Sequence, residues 1–141
     1  LTDNDLLSKQ QSGFRPEHST LSALIQMCDD WLSSMDEGKI NCVVFLDIRK
    51  AFDSINHEIL LEKMNSNFGI SGDALKWFDS YLKDREQQCI VNGQLSSSKN
   101  IRCGVPQGSI LGPLLFLLYI NDTLESLNDT TASLYADDTE I

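Results

Sequence analysis

Hydrophobic residues recur every three or four positions after Ser19 and Thr20, and this spacing is typical of an amphipathic helix. Either residue can cap the start of the helix, and Gly38 is expected to end it. The apolar positions that share one face are Leu21, Leu24, Ile25, Cys28, Trp31, Leu32 and Met35. The pattern therefore predicts one long helix with a single apolar face near the start of the chain.

Two other apolar stretches are continuous rather than periodic, and each leads into acidic residues. The run over residues 40–48 predicts a strand that is covered on both faces and therefore central in its sheet. A shorter run predicts a last strand over residues 131–136. The first run reaches Asp47, and the second is followed by Asp137 and Asp138. We expect the ends of these two strands to be adjacent, so that they bring the carboxylates together.

The chain between these two strands predicts helices and one hairpin. Gly69 is a natural C-cap, the Asn92-Gly93 pair indicates a turn, and Ser109 can cap a helix whose first turns contain Pro113. Helices are predicted over residues 57–68, 73–84 and 109–127, and strands that pair with each other over residues 88–92 and 99–103. Strands separated by helices indicate an α+β or α/β fold, and we take it to be α+β, with helices covering the sheet.

Length and composition bound the class of protein. The chain has 141 residues, enough for one domain or part of one, and its 41% hydrophobic content allows a buried core. The net charge of -10 and the pI near 4.4 argue against a free-standing nucleic-acid-binding domain, which usually has a basic face. The apolar run over residues 110–120 is shorter than the roughly 20 residues that span a bilayer, so no membrane segment is expected.

The four cysteines do not have the spacing of a zinc site, because none of them forms a Cys-x-x-Cys pair. Cys42 and Cys89 lie in apolar runs and are expected to be buried thiols. This usage favours a reducing, intracellular compartment over secretion.

The two groups of acids suggest a metal site. Paired carboxylates are unfavourable unless a partner neutralises them, and the usual partner is a divalent cation. Two metal ions held between neighbouring strands would suit phosphoryl or nucleotidyl transfer. An isolated Asp at a strand end more often begins a turn, and Asp-Asp pairs are common in turns. The order of Asp47, Pro106-Gln107-Gly108 and Tyr135-Ala136-Asp137-Asp138 along one domain favours the metal site.

Nearly the whole chain resembles the reverse transcriptases of non-LTR (LINE-type) retrotransposons, specifically the Jockey-like and related clades. The Gly104-Val105-Pro106-Gln107-Gly108 loop and the Tyr135-Ala136-Asp137-Asp138 sequence are the most specific parts of the resemblance. The matching segments are residues 11–20, 45–57, 74–82, 103–116 and 135–138. The resemblance implies part of a right-hand polymerase, with residues 1–39 as a fingers-like segment and residues 40–141 as palm. The thumb and any endonuclease are expected to be absent from this segment.

The resemblance also implies a metal centre. Asp47 and Asp137 would hold two Mg²⁺ ions, with Mn²⁺ as the alternative ion, and Asp138 would be a more peripheral third carboxylate. The backbone carbonyl of Ile48 would complete one metal shell. Asp53 is expected to have a structural hydrogen-bonding role, whereas His18 and His57 are expected to be surface or capping residues.

Substrate contacts follow from the same resemblance. The amides near Lys50 and Ala51 would face the incoming triphosphate, and Arg15 would contact it from the fingers. Phe52 would lie under the sugar and exclude a 2′-hydroxyl, and Gln107 would reach the incoming nucleotide. The simpler alternatives are a core aromatic for Phe52 and a turn residue for Gln107.

The primer end would meet the last strand. Tyr135 would pack beneath the primer terminus, and Ala136 would leave space near its sugar. The alternative for Ala136 is a small residue that eases a tight hairpin.

The function implied is RNA-directed DNA polymerisation, with an RNA template, a DNA primer and dNTPs as partners and no membrane. An intracellular, nuclear location is expected for the insertion step of the intact element. We expect the isolated segment to be inactive. The alternatives are a non-catalytic, decayed remnant and a reverse transcriptase of the group II intron or domesticated type.

Overall fold

The structure is a computed structural model that describes residues 6–126 and 132–141. It contains both helices and strands, and the strands named below pair in antiparallel fashion, which confirms the predicted α+β class. In chain order they are α1 (Thr20–Asp36), β1 (Phe45–Leu46), a 3₁₀ helix (Ala51–Ser54), α2 (His57–Ser66), α3 (Gly72–Leu82), β2 (Glu86–Gln87), β3 (Ile90–Val91), β4 (Gln94–Leu95), β5 (Lys99–Asn100), α4 (Leu111–Ile120), a 3₁₀ helix (Thr123–Ser126), β6 (Ser133–Tyr135) and β7 (Asp138–Glu140).

The chain divides into two compact units. Residues 50–119 form one of them, which we call the central unit. The described residues before Lys50 and after Tyr119 form the other, which we call the flanking unit. This division is a property of the structure and does not test the predicted assignment of residues 1–39 to fingers and 40–141 to palm.

The flanking unit contains a three-stranded antiparallel sheet in the order β1-β7-β6. Strands β6 and β7 form a hairpin, and Leu46, Thr139 and Leu134 lie in one row across the three strands. The sequence pattern predicts β6 but not β7. Strand β7 is the middle strand, so the two predicted acid-bearing strands are not paired with each other but share β7 as a neighbour.

The prediction of a buried, central strand over residues 40–48 is wrong. Only Phe45 and Leu46 form a strand, which lies at the edge of the sheet, and their side chains are 68% and 48% exposed. Mutual backbone hydrogen bonds between Val44 and Ile141, at 2.8 and 3.0 Å, continue the pairing by one residue. An apolar run specifies a strand that can be covered on both faces, but the coverage itself depends on distant partners.

Helix α1 begins and ends close to its predicted limits. Ser19 caps it, accepting a hydrogen bond from the Ser22 amide at 3.1 Å, and Gly38 follows it with a φ of +76°. The helix turns its small residue Ala23 inward, where it is 8% exposed. Most of the predicted apolar face is exposed instead, namely Leu21, Leu24, Ile25, Leu32 and Met35. The helical period was therefore correct, but the described residues do not cover the apolar face.

The central unit has a tightly packed core. Its fully buried side chains come from α2, α3, α4 and the residues before α2, and include Ile55, Leu60, Met64, Leu82, Leu115, Phe116 and Leu118. Asn56 caps α2 by accepting hydrogen bonds from the amides of Glu58 and Ile59. Lys63 of α2 donates a hydrogen bond to the backbone carbonyl of Tyr119, 2.7 Å away. Helices α2 and α3 confirm the two predicted helices between 57 and 84.

The predicted turn at Asn92-Gly93 is correct, but the predicted pairing is not. Both turn residues have positive φ, +51° and +77°, as a type I′ hairpin turn requires. The turn joins its nearest neighbours β3 and β4, while β2 pairs with β5 outside them. A two-residue turn fixes the register of the residues that flank it, so residues 88–92 cannot pair with 99–103.

Helix α4 starts as predicted but is shorter than predicted. The Ser109 hydroxyl accepts a hydrogen bond from the Gly112 amide at 3.0 Å, and Pro113 lies in the first turn. The helix ends at Ile120 rather than near Leu127, which lies outside the described residues. Among the described residues, no helix is long and apolar enough to cross a membrane.

The expectation of buried thiols is wrong as well. Cys42 and Cys89 are exposed, as are Cys28 and Cys103. Cys42 precedes the exposed edge strand β1, and Cys89 precedes the exposed β3, so their apolar neighbours do not form part of a core.

Candidate active site

The strand register brings Asp47 and Asp138 to neighbouring positions. Leu46 pairs with Thr139, so the next position of the same antiparallel pairing sets Asp47 against Asp138. Both residues are exposed, and both line one cavity of about 330 Å³ together with Tyr135. The remaining walls of the cavity come from α1 and the rest of the sheet. Two carboxylates, one directly after β1 and one at the start of β7, supply the hard oxygen donors that Mg²⁺ and Mn²⁺ prefer.

Asp137 lies in the turn of the β6–β7 hairpin, next to Asp138 along the chain, and is half-buried. Ala136, the other residue of the turn, has a φ of +57°. Within residues 6–126 and 132–141, no three His, Cys, Asp or Glu side chains are gathered closely enough to hold a metal ion. The structure therefore brings Asp47 and Asp138 to one cavity and places Asp137 in the turn before Asp138, and these residues do not form a complete ligand set.

Two residues that the sequence analysis did not single out contact this turn. The side-chain amide of Gln11 accepts hydrogen bonds from the backbone N–H groups of Ala136 and Gly13, at 2.9 and 2.7 Å. It also donates one to the Ala136 carbonyl at 3.0 Å. Gly13 lies so close to Ala136 that an added Cβ would be 2.2 Å from the Ala136 nitrogen. Their place in the segment 11–20, which carried the family resemblance, was the available signal.

Arg15 is anchored to the chain just before it. Its Nη1 donates hydrogen bonds to the backbone carbonyls of Ser8 and Gln11, at 2.7 and 3.2 Å. Its Nε is buried and has no hydrogen-bond partner among the described residues. Arg15 therefore stabilises the segment that carries Gln11, and its contact with a triphosphate stays a prediction.

In the central unit, Lys50 starts the 3₁₀ helix that carries the predicted nucleotide-contacting residues. Lys50 is in the left-handed conformation, and its carbonyl accepts hydrogen bonds from the amides of Asp53 and Ser54. Ala51 is buried, and the half-buried ring of Phe52 stacks on Phe116, with centroids 4.8 Å apart and planes at 23°. This packing agrees with both roles considered for Phe52, a core aromatic and a ring that faces the sugar while Phe116 supports its other side.

The loop that carries Gln107 is fastened to the same 3₁₀ helix. The Gly104 amide donates to the Ile55 carbonyl at 2.7 Å, and the Val105 amide donates to the Phe52 carbonyl at 2.9 Å. Gly104 has a φ of +86°, and a Cβ there would come within 2.8 Å of the Asp53 Cα. Only glycine fits both the conformation and the space.

Gln107 itself donates a hydrogen bond to the Asp53 carboxylate at 3.1 Å, and both side chains are exposed. This bond shows that Asp53 takes part in a hydrogen bond, as expected, and its structural role stays a prediction. Both residues line a cavity of about 870 Å³ that also contains Arg85 and Arg102. The central unit thus presents an amide and two guanidinium groups around one open cavity.

His57 was expected at the surface or as a cap, and the structure corrects this expectation. His57 is 8% exposed, and its Nε2 forms a 2.7 Å hydrogen bond with the Gly104 carbonyl. Since this bond joins α2 to the loop before Gln107, His57 has a structural role in positioning that loop. His18 is exposed, as expected, with its Nδ1 3.1 Å from the Ser12 hydroxyl.

Comparisons with known proteins agree with the motifs. The probable RNA-directed DNA polymerase from transposon BS of Drosophila melanogaster is 34% identical over 86% of this chain. The RNA-directed DNA polymerase from mobile element jockey of the same organism is 34% identical over 96% of it. The chain spans 13% and 15% of the length of these two curated relatives.

A solved structure shows the same fold. Apo telomerase from Candida tropicalis, truncated from its C-terminal domain, superposes on 94% of this chain and 29% of its own with a TM-score of 0.63 at 17% identity. The likeness supports a right-hand polymerase fold. Residues 1–141 match the family described as reverse transcriptase (RNA-dependent DNA polymerase). The acid-bearing strands, the Gln107 loop and these matches lead to one conclusion, that the chain belongs to the reverse transcriptase family.

Proposed function

We propose that this chain is the catalytic segment of an RNA-directed DNA polymerase of a non-LTR retrotransposon, which extends a primer 3′-hydroxyl with dNTPs on an RNA template. The observation that carries the proposal is the register of β1 against β7, because the position after the Leu46–Thr139 pair is that of Asp47 and Asp138, and both acids line one cavity. Non-LTR relatives at 34% identity support the class of element. The intact protein is proposed to act in the nucleus, where insertion takes place.

Reverse transcriptases generally use divalent metal ions. Asp47, Asp137 and Asp138, with the backbone carbonyl of Ile48, are the groups proposed to hold them. Bound there, two ions would stabilise the attacking and the leaving oxygens of an in-line displacement. The protein's own contribution is to hold hard oxygen donors at the ends of adjacent strands, where the sheet fixes their spacing.

The remaining residues would position the substrates. Gln107, on a loop anchored through Gly104, is proposed to contact the incoming nucleotide. The amides near Lys50 and Ala51 and the guanidinium of Arg15 are proposed to contact its triphosphate, since N–H donors and guanidinium groups suit phosphate oxygens. Tyr135 is proposed to pack against the primer terminus, with Ala136 leaving space beside its sugar.

The test of the proposed function is to replace the matching segment of a full-length, active relative by this one and to measure primer extension. The unmodified segment should support extension, and Asp47→Asn or Asp137→Asn should each lower it by about three orders of magnitude or more, since each removes a charge from the metal site. The matched control is Asp79→Asn, in a half-buried acid of α3 that pairs with Lys83 at 2.8 Å, and it should have little effect. Equal activity of the two site variants and the control would contradict the proposal, and an inactive unmodified chimaera would favour a decayed remnant.

Metal binding can be measured on the 141-residue chain itself. Calorimetric titration with Mg²⁺ or Mn²⁺ should show weak binding that Asp47→Asn and Asp137→Asn each reduce. Undiminished binding in the double variant would remove the proposed metal site.

The isolated chain is expected not to polymerise. Its net charge of -10 repels the phosphates of a template and primer, and it spans about one seventh of its relatives. Primer extension by the purified chain should remain at background. Extension that disappears with Asp137→Asn would show that the segment is sufficient.

Phe52 is proposed to exclude ribonucleotides. In the chimaera, Phe52→Val should raise the ratio of ribonucleotide to deoxyribonucleotide incorporation, because the smaller side chain leaves room for a 2′-hydroxyl. The loss of stacking on Phe116 should lower the melting temperature as well. A lower melting temperature with an unchanged ratio would assign Phe52 to the core alone.

A further inference from the structure

We infer that Gln11 and Gly13 are positioning residues for nucleotidyl transfer, because together they hold the Ala136-Asp137 turn in one conformation and thereby aim Asp137 and Asp138. The inference rests on the proposed function only for its catalytic consequence. The contact itself belongs to the flanking unit and can be tested without any activity.

The turn needs support because of its own backbone. Ala136 has a φ of +57°, a conformation in which a residue with a Cβ is crowded against its own backbone. It is also only 8% exposed, so water does not satisfy its backbone groups. A strained and buried position of this kind persists only when surrounding groups stabilise it.

Gln11 provides that stabilisation. Its side-chain amide is hydrogen-bonded to both the N–H and the carbonyl of Ala136, and Gln11 is only 4% exposed. Its oxygen also accepts a hydrogen bond from the Gly13 N–H. Because the N–H groups of Gly13 and Ala136 both need an acceptor, they fix the orientation of the Gln11 side-chain amide. A rotation of the Ala136 backbone would break two of these bonds and leave buried polar groups unpaired.

Gly13 provides the space. A Cβ on Gly13 would lie 2.2 Å from the nitrogen and 2.7 Å from the Cα of Ala136. Gly13 does not have a positive φ, so glycine is required there for close approach and not for its conformation. The backbone of Gly13 therefore packs directly against the backbone of Ala136 in the turn.

The segment that carries Gln11 and Gly13 is itself hydrogen-bonded to the sheet. The Ser12 amide donates to the Leu134 carbonyl at 2.8 Å, and the Leu134 amide donates to the Gln10 carbonyl at 2.9 Å. Residues 10–12 thus pair with β6 in parallel, on the side away from β7. Since Asp137 follows Ala136 directly, the direction of its side chain depends on the conformation that this segment imposes.

The first experiment measures how strongly Gln11 stabilises the turn, by hydrogen exchange of the Ala136 amide in the 141-residue chain. Gln11→Met keeps the length of the side chain and removes its three hydrogen bonds, two of them to Ala136, so exchange should accelerate by about tenfold or more. Gln10→Met is the matched control, because the Gln10 side chain is exposed and accepts its hydrogen bond from the nearby Ser8 hydroxyl rather than from the turn. Equal exchange rates in the two variants would overturn the inference.

The second experiment measures the catalytic consequence in an active chimaera. Gln11→Met and Gly13→Ala should each lower kcat by about tenfold or more, while KM for dNTP stays within about twofold, because neither residue contacts the nucleotide in the proposed function. Both variants are compared at a temperature at which circular dichroism shows them folded. A loss of folded protein with unchanged kcat per folded molecule would reduce the two residues to a structural role and overturn the inference.

Rescue by a second substitution gives a sharper test. Ala136→Gly removes the Cβ that disfavours a positive φ, so the turn depends less on Gln11. Combined with Gln11→Met, it should restore kcat by several-fold relative to Gln11→Met alone. Additive losses in the double variant would count against a conformational role. An inactive unmodified chimaera would contradict the proposed function. The exchange experiment would still decide whether Gln11 stabilises the turn.

Discussion

The two segments that carry the candidate acids are held in very different ways. The β6–β7 hairpin has neighbours on both sides, with residues 10–12 along β6 and β1 along β7. Within residues 6–126 and 132–141, strand β1 pairs with β7 alone and lies at the edge of the sheet. In their shared row, Leu134 of β6 is 3% exposed, whereas Leu46 of β1 is 48% exposed. One segment of the candidate metal site is thus rigidly held, while the other lies at an open edge.

The difference shows that similar sequence patterns do not specify similar environments. Each segment is an apolar run that ends in acid. Among the described residues, however, the hairpin has a paired segment on each side, whereas β1 has one paired neighbour. The Gln11 contacts with Ala136 join residues 125 positions apart. We therefore expect the hairpin to be the stable part of the candidate site and β1 to be the part that adjusts more easily.

The largest expected effect compares the two leucines of one row. Leu134→Ala should lower the free energy of unfolding by about 2–5 kcal/mol, because it leaves a cavity under the hairpin. Leu46→Ala should lower it by less than about 1 kcal/mol, because half of that side chain is already in water. Urea unfolding followed by circular dichroism measures both values. Equal losses would show that β1 is as well packed as the hairpin.

Hydrogen exchange should separate the outward-facing amides of the two outer strands. The Leu134 amide is bonded to the Gln10 carbonyl, whereas the alternation of antiparallel bonds directs the Phe45 amide away from β7. We expect the Phe45 amide to exchange at least about tenfold faster than the Leu134 amide. A protected Phe45 amide would show that the outer side of β1 has a partner.

A smaller effect is expected where α1 contacts the hairpin. Trp31 Nε1 donates a hydrogen bond to the carboxylate of Glu140 in β7, at 3.0 Å. Trp31→Phe should lower the free energy of unfolding by about 1 kcal/mol, the usual net value of such a bond with a little packing area. Glu140→Gln keeps an acceptor and is the matched control, for which a smaller loss in the same urea titration is expected. A larger loss in the control would mean that the charge of Glu140 is more important than the bond.

The smallest effect is expected at Phe45, which is 68% exposed at the open edge. Phe45→Ser should change the free energy of unfolding by no more than about 0.5 kcal/mol, as is usual for surface substitutions. The same urea titration measures it. A loss above about 2 kcal/mol would place Phe45 in a core and remove the contrast between β1 and the hairpin.

The sequence by itself determined the local features of this protein. Helical periodicity and the Ser19 cap predict the limits of α1 closely, and Asn92-Gly93 predicts the position of the hairpin turn. The motifs around Asp47, Gln107 and Asp137 identified the family that the relatives confirm. Periodicity, capping and turn conformation depend on neighbours in the chain, so they can be predicted without knowledge of the fold.

Only the tertiary structure decided which of these features are buried and what holds them. In the folded protein, β7 lies between β1 and β6, and the apolar face of α1 is exposed. His57 is buried and forms a hydrogen bond with the Gly104 carbonyl. The tertiary structure also joined Gln11 to Ala136 across almost the whole length of the chain. Burial, register and such distant hydrogen bonds depend on which segments meet in the folded protein, and a local pattern contains no information about that choice.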